Sequence, residues 1–418
     1  MKKINVLVTL PYSLFPANNG GRLHVLSTLK PVAEKVNLHL LAYLSPSDNQ
    51  QFFNNRETLL KQYYTIFQSV NFLAKPLLPF ELAGKRRKLF HFLLHTLYQL
   101  PLMDVSFYSP DFVRKARQLI KQYNIDLVEA HQLHVAFLKR FLPHIPVILI
   151  EQNREHELWP FWPHPGKKPG DLLWNQFGKL SRKFSYEVEV ENKWKLDARC
   201  FISLDEMKKA RMVAGKIFWM PPAVEESMST RNYDNQIRPV KVLWVGGFDW
   251  FPNAEGAVWF AKECWPHLKI YADRLEFHFI GTNPPADLLA LHDNRTFFVH
   301  GFVADITSFW QDADLFIVPL RSGGGIRIKI VEALNAGIPV ISTSKGCEGI
   351  PYEPNLDLII ADDPLEFSQS IMRLASESEF RKFLGTNGKD LIRRFFTLQA
   401  MGDRKMNVYY AVMEKRGT

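Results

Sequence analysis

The chain has 418 residues, enough for two or three domains of ~150 residues each, and its 46% apolar and 23% charged residues exclude a disordered or fibrous protein. No window approaches the ~18 uninterrupted apolar residues of a membrane-spanning helix, and Cys200, Cys264 and Cys347 form no metal or disulfide pattern, which fits a reducing compartment. The net charge of +9 is uneven, with 33 Lys+Arg against 21 Asp+Glu in residues 1–239 and 19 against 22 in residues 240–418.

Residues 1–10 imitate a signal peptide, but the apolar run is short, lacks a cleavage site and meets Pro11 and Pro16 at once. We read residues 4–10 as a first buried strand. A long loop over 11–21 containing Gly20 and Gly21 follows, then a helix over 22–35 and a strand over 36–43. Residues 52–98 read as mixed helical material around the basic cluster Lys85-Arg86-Arg87-Lys88. With Lys167-Lys168, Arg182-Lys183 and Lys208-Lys209, that cluster suits an anionic membrane surface or an acidic acceptor as well as it suits a solvated face. A helix over 112–123 leads to a strand over 125–130 and to His131. A strand over 146–150 ends at Glu151 and Asn153. Polar residues just past buried strands are where α/β sheets bind ligands, so His131, Glu151 and Asn153 are candidate site residues, each with a structural hydrogen bond as the alternative. A charged helix over 172–196 and a strand over 199–203 close the first half. Residues 225–238 are polar and serve as a linker.

The second half restarts the alternation: strand 240–245, the turn Gly246-Gly247, helix 254–268, strand 275–280, strand 296–299, helix 305–311 and strand 315–318. Pro319 ends that last strand, and Ser322-Gly323-Gly324-Gly325 turns the backbone at low steric cost. A helix over 326–335 follows, with Gly337 as its stop and a strand over 339–342 beyond. A glycine turn that opens a helix leaves free N–H groups and a positive dipole end, which suits an anion. Arg321, Arg327 and Lys329 add charge, and Glu332 shares a helix face with Lys329. A diphosphate attached to a sugar would use all of these groups; glycines that only permit tight packing are the alternative. Helices over 381–396 and 398–413 end the chain.

With these residues placed, the second half resembles the nucleotide-binding domain of a retaining GT-B glycosyltransferase of family 4 (group 1), in the branch found among bacterial cell-surface polysaccharide genes. The stretches WVGGFDWFPNAEGAVWF from Trp244, HGFVADI from His300, DADLFIVPL from Asp312 and GGGIRIKIVEALNAGIPVISTSKGCEGI from Gly323 carry the resemblance. The first half matches more loosely. The resemblance implies an α/β fold of two Rossmann-like, doubly wound domains facing across a cleft. Residues 1–228 would form the acceptor-side domain, 239–397 the nucleotide-sugar domain, and the helix over 398–418 would cross back onto the first.

Carried over from the family, Glu332 binds the ribose hydroxyls, and Gly323, Gly324, Gly325 and Lys329 sit at the diphosphate with Arg321, Arg327, Gly246 and Gly247. Val303 touches the base, Gly20 and Gly21 flank the phosphate, and His131 reaches the donor sugar. His131, Lys329 and Arg327 are the candidate catalytic residues, with Glu151 and Asn153 on the acceptor side. Two departures stand out: the family's first motif glutamate falls at Gly324, and the turn after the strand over 240–245 lacks the usual Arg and Lys. Asp312 and Asp314 mimic a metal-binding Asp-x-Asp, but they precede a buried strand, and no metal or other cofactor is expected beyond the nucleotide sugar. The expected partners are that donor and a glycan or lipid-linked hydroxyl acceptor, at a cytoplasmic location on or near the inner face of the membrane, with no nucleic acid. A nucleotide-sugar epimerase of the same fold and a non-catalytic nucleotide-sugar-binding partner of a transferase are the alternatives.

Overall fold

The computed structural model describes residues 3–17, 20–45, 55–75, 107–151, 192–210, 216–227 and 238–414, with residues 183, 186, 187 and 233 between them. It divides into two units, Met1–Pro221 with Met401–Thr418, and Pro222–Ala400. Among the described residues no helix is long and apolar enough to cross a membrane.

The first unit is built on a seven-stranded parallel sheet. Its strands are β1 (Asn5–Leu10), β2 (Asn37–Leu44), β3 (Ser69–Ala74), β4 (Leu127–His131), β5 (Val147–Glu151), β6 (Ala198–Phe201) and β7 (Lys216–Trp219), in the order β3-β2-β1-β4-β5-β6-β7. Every residue of β1, β4 and β5 is buried, as expected of parallel strands covered on both faces. The strand order reverses between β1 and β4, where the flanking loops part and open a crevice. Helix α1 (Gly20–Leu29) follows β1. Helix α2 (Pro110–Tyr123) starts on Ser109, whose hydroxyl accepts the Asp111 N–H at 3.2 Å, and ends on left-handed Asn124 (φ 49°). Phe112, Val113, Ala116 and Leu119 of α2 enter the core with Val128, Ala130 and Leu149. The C-terminal helix Leu398–Met413 lays Met401, Lys405, Val408, Tyr409 and Val412 into the interior of this unit.

The second unit has a six-stranded parallel sheet of β8 (Val240–Val245), β9 (Leu275–Ile280), β10 (Phe297–Gly301), β11 (Leu315–Val318), β12 (Val340–Ser342) and β13 (Ile359–Ile360), in the order β10-β9-β8-β11-β12-β13. Its core is strongly aromatic, with Phe260, Phe277, Phe279, Phe297 and Trp244 all fully buried. Helix α3 (Phe251–Trp259) continues through a π-helical turn at Phe260–Cys264. Helix α4 (Thr307–Asp312) precedes β11, and α5 (Ile328–Asn335) joins β11 to β12 and stops at Gly337 (φ 71°). Helices α6 (Pro364–Ser376) and α7 (Ser378–Phe395) complete the unit, and the Asp363 carboxylate caps α6 by accepting the Leu365 and Glu366 N–H groups at 2.8 and 3.1 Å.

Several sequence readings are corrected. Within the stretch read as helical at 52–98, β3 is an edge strand, and its half-exposed residues blur the alternation that marks a strand. The helix read to 196 does not reach that far. Asn192 and Lys195 are left-handed (φ 51° and 56°), and the Asn192 side chain closes a turn by bonding the Leu196 N–H and C=O. Most of the remainder of that stretch lies outside the described residues. Gly20 and Gly21 are the first residues of α1 rather than a turn. Strands β7 and β13 and helix α6 were not read from the sequence; the two strands are the sheets' edges and only four and two residues long.

Candidate active site

The strand order of the second sheet reverses between β8 and β11, so the loops after these strands part and leave a crevice at their carboxyl ends. Four glycines shape it. Gly281, after β9, donates its N–H to the Gly301 carbonyl at 2.8 Å, and a Cβ there would lie 2.0 Å from the Gly246 carbonyl oxygen. No other residue allows the β8 and β9 loops to touch in this way. Gly256 of α3 likewise has no room for a side chain, because the Pro319 carbonyl would be 2.5 Å away. Gly323 and Gly325 hold left-handed angles (φ 94° and 78°), which let the loop after β11 fold over the start of α5.

Lys329 stands in the middle of this crevice. Its ammonium donates to the Val245 carbonyl at 3.1 Å and to Asn253 Oδ1 at 3.2 Å, and lies 4.6 Å from the Trp244 ring centre. Asn253 in turn donates to the Gly247 carbonyl at 2.7 Å, so one side chain ties the β8 loop to α5. A Cβ at Gly246 would stand 3.0 Å from Lys329 Nζ, so glycine there keeps the space in front of the ammonium clear. Among the described residues no carboxylate pairs with Lys329. Burial, reinforced by the Arg327 charge, lowers its pKa to about 7. An unpaired cation in such a place is stabilised by any anion that enters.

Glu332 follows Lys329 by three residues on α5, and its side chain has no hydrogen-bond or ion-pair partner among the described residues. Solvent reaches its side chain, yet the surrounding walls displace enough water to raise its pKa. Arg327 is differently placed: its guanidinium donates to the Gly324 carbonyl and, at 3.1 Å, to that of Gly325, so it clamps the loop. Arg321 donates to the Asp362 carbonyl at 2.9 Å and lies 5.0 Å from the Trp259 ring. The loop's cations therefore divide, with Lys329 at the crevice and Arg327 and Arg321 holding its frame. Gly324 is exposed, and Val303 lies half-buried in the loop after β10.

At Gly246-Gly247-Phe248-Asp249, where the family has basic residues, Asp249 accepts from Thr282 Oγ1 at 2.5 Å and from Asn283 Nδ2, and these hydrogen bonds lower its pKa. Asp312 pairs with Lys241 at 3.1 Å. Asp314 takes both guanidinium nitrogens of Arg238, at 2.7 and 3.0 Å, and the Lys241 N–H at 2.8 Å. That pair is a fastening at the base of β8 and β11.

In the first unit His131 ends β4 and is fully buried. Its Nε2 lies 2.6 Å from Glu129 Oε1, while its Nδ1 has no partner among the described residues. Glu129 also accepts from Lys405 Nζ at 2.7 Å and Tyr409 Oη at 2.6 Å, both from the C-terminal helix. Glu151 is not an open acceptor-side group: it is buried and takes the Arg199 guanidinium at 2.7 Å. Asn153 and the Lys85–Lys88 cluster lie outside the described residues. Sequence reading missed Asn253, Glu129 and Lys405. Lys405 did leave a signal, a charge four residues from both Met401 and Tyr409 on the apolar stripe of its helix.

The family described as glycosyl transferases group 1 matches residues 239–377, the stretch that forms the crevice. That stretch of the second unit is similar to a group 1 glycosyltransferase domain. The chain is 23% identical over 206 residues to an uncharacterized 44.6 kDa protein in the cps region of Klebsiella pneumoniae, a match covering 47% of this chain and 52% of that protein. It is 30% identical over 105 residues to the uncharacterized glycosyltransferase MJ1178 of Methanocaldococcus jannaschii, covering 24% of this chain and 30% of that one. The matches thus span about half or less of these relatives. The crystal structure of Anabaena Alr3699/HepE in complex with UDP aligns over 97% of this chain and 100% of that one, with a TM-score of 0.60 and 14% identity. At that identity the likeness shows the fold, which is GT-B. Lys329 and Glu332 fall in the matched segment.

Proposed function

We propose that the protein moves a sugar from a nucleoside diphosphate donor to a hydroxyl acceptor, a glycan or lipid-linked saccharide, with retained anomeric configuration, in cell-surface polysaccharide synthesis at the inner face of the membrane. The observation that carries the reading is the pairing on α5 of Lys329, an ammonium with no carboxylate partner among the described residues, and Glu332, a carboxylate with no donor among them, three residues apart at the sheet's switch point. The first suits a diphosphate and the second the hydroxyls of a ribose. The relative in a Klebsiella cps region and the UDP held by Anabaena HepE agree with this chemistry.

In the reaction the bond from the sugar C1 to the diphosphate oxygen breaks while the acceptor oxygen bonds C1 on the same face. The acceptor's proton passes to a departing phosphate oxygen, so no protein base is needed. Lys329 and the N–H groups at the start of α5 stabilise the charge that develops on the diphosphate. No metal ion is needed for that charge. Gly324 leaves the donor sugar to be held by backbone N–H groups and by other side chains.

Titration calorimetry with UDP, ADP and GDP, followed by transfer assays with matching sugar nucleotides and lipid-linked or oligosaccharide acceptors, tests the reading. Binding and a product with the donor's anomeric configuration are expected. Failure to bind any nucleoside diphosphate would sink it. Donor recovered intact after tight binding would identify a non-catalytic partner, and an inverted ring carbon without acceptor an epimerase.

A further inference from the structure

The edge strand β10 carries one residue more than its neighbour β9. Val299 pairs with Phe279 and Gly301 with Ile280, so His300 is left over as a bulge. A bulge bends its strand and re-aims the chain beyond it, here the loop over 301–303 beside the crevice. The Gly301 carbonyl accepts the Gly281 N–H at 2.8 Å, and Gly301 itself takes a left-handed φ of 65°. A second imidazole holds the bulged residue. Nε2 of His300 lies 2.9 Å from Nδ1 of His278 on β9, and Nε2 of His278 lies 2.6 Å from Glu276 Oε1. The two rings are within 7° of parallel, and Phe309 of α4 packs edge-on against both, at 5.6 and 4.8 Å between ring centres. Glu276, His278 and His300 are all half-buried.

The number of protons on the two imidazoles decides whether this relay holds. An ionised carboxylate can only accept, so His278 presents Nε2–H to Glu276. In the neutral pair His278 Nδ1 accepts from His300 Nε2–H. One further proton, on His300 Nδ1, leaves that hydrogen bond in place. A second does not, because His278 Nδ1 and His300 Nε2 would then both carry hydrogen at 2.9 Å, between two positive rings. We propose that the Glu276–His278–His300 relay is an acid-sensitive clasp on the β10 bulge, which holds the loop over 301–303 while the imidazoles carry one proton or none and releases it when both are charged.

The surrounding charges leave this balance to the pair itself. Lys241 of β8 stands 4.0 Å from Glu276 and is paired with Asp312 of α4 at 3.1 Å. His292, from the loop before β10, accepts the Val299 N–H on its Nδ1 at 3.1 Å. Burial first, then His278 and His292, lower the His300 pKa from its ordinary 6.5. As pH falls below 6.5, a released His300 takes up a proton that the clasped one refuses, so the clasp is firm above that pH and weakens below it. Opening is then favoured by up to ~10-fold per pH unit for the one proton taken up.

Hydrogen exchange of the full-length protein, corrected for the intrinsic pH dependence of amide exchange, tests the clasp. Between pH 7.5 and 5.5 the protection factors over 299–303 are expected to fall about 10-fold, while those of the central strand β8 stay level. His300→Phe keeps a ring beside Phe298 and Phe309 but cannot be charged, and should remove the pH dependence. His278→Phe should do the same if the first variant fails to fold, because His300 then takes its proton with no second imidazole against it. Protection over 299–303 that is indifferent to pH, that falls together with β8, or that falls as steeply in the variants would overturn the clasp.

Discussion

Lys405 and Glu129 form an ion pair at 2.7 Å with both side chains at 0% exposure, although 276 residues separate them. Removing one partner of such a pair strands a charge in a medium that cannot solvate it, and typically costs ~3–5 kcal/mol. Lys405→Met is expected to lose about that much in urea unfolding at pH 7.5. The double variant Glu129→Gln with Lys405→Met should recover part of the loss, because no charge is then left alone. An additive double variant would contradict the coupling.

His24 gives the first unit an acid sensitivity. Burial is the main cause lowering its pKa to about 3, against an ordinary 6.5. Below pH 6.5 the unfolded chain takes up a proton that the folded chain refuses, so stability is lost as pH falls from about 6.5 towards 3. The slope from one such group approaches ~1.4 kcal/mol per pH unit. His24→Gln should flatten the stability profile over that window by about one proton, measured from urea midpoints at successive pH values.

Binding of a nucleoside diphosphate should take up a proton at Lys329. The free ammonium has a pKa of about 7, and an adjacent diphosphate favours the charged form and raises it. UDP affinity is therefore expected to be full below pH 7 and to fall as pH rises above it. Calorimetry in buffers of different ionisation enthalpy should report net proton uptake near pH 7.5. Lys329→Met should abolish both the uptake and the pH dependence.

Glu332→Gln should weaken UDP binding by roughly 10- to 100-fold, the equivalent of one charged hydrogen bond of ~1.5–3 kcal/mol. The loss should shrink for a 2′-deoxy nucleotide, which offers Glu332 one hydroxyl fewer. An equal loss for both nucleotides would place the carboxylate elsewhere.

Gly281→Ala brings a methyl group 2.0 Å from the Gly246 carbonyl and must push the β8 loop aside. A cost of ~1–3 kcal/mol and loss of UDP binding are expected together. Gly301→Ala is the control: nothing lies within 4 Å of its new methyl, and only the left-handed φ of 65° opposes it. It should cost ~1 kcal/mol and leave binding largely intact, by thermal unfolding and calorimetry.

Much of this was legible in the residues. Strand β11 was read at its observed bounds because Leu315, Phe316, Ile317 and Val318 are buried on both faces and stopped by Pro319. The C-terminal helix was read at its full extent from the apolar spacing of Met401, Val408, Tyr409 and Val412. Edge strands were not legible, since β3 is largely half-exposed and β13 spans two residues. Within the loop, the charges of Arg321, Arg327 and Lys329 are equivalent in a sequence. Only the fold turns Arg327 onto the Gly324 and Gly325 carbonyls and leaves Lys329 facing Gly246. The Glu129–Lys405 pair was out of reach because no local pattern ties residues 276 positions apart.

That distance along the chain bears on how the protein is made. All seven strands of the first sheet leave the ribosome before the helix that neutralises Glu129. Until Lys405 and Tyr409 arrive, the nascent first unit holds a carboxylate in its centre with His131 as its one side-chain partner among the described residues. The second unit, whose sheet and aromatic core are drawn from one continuous stretch, can fold first. The last helix then completes the earliest-made unit, so the interior of that unit is closed only once the end of this stretch is in place.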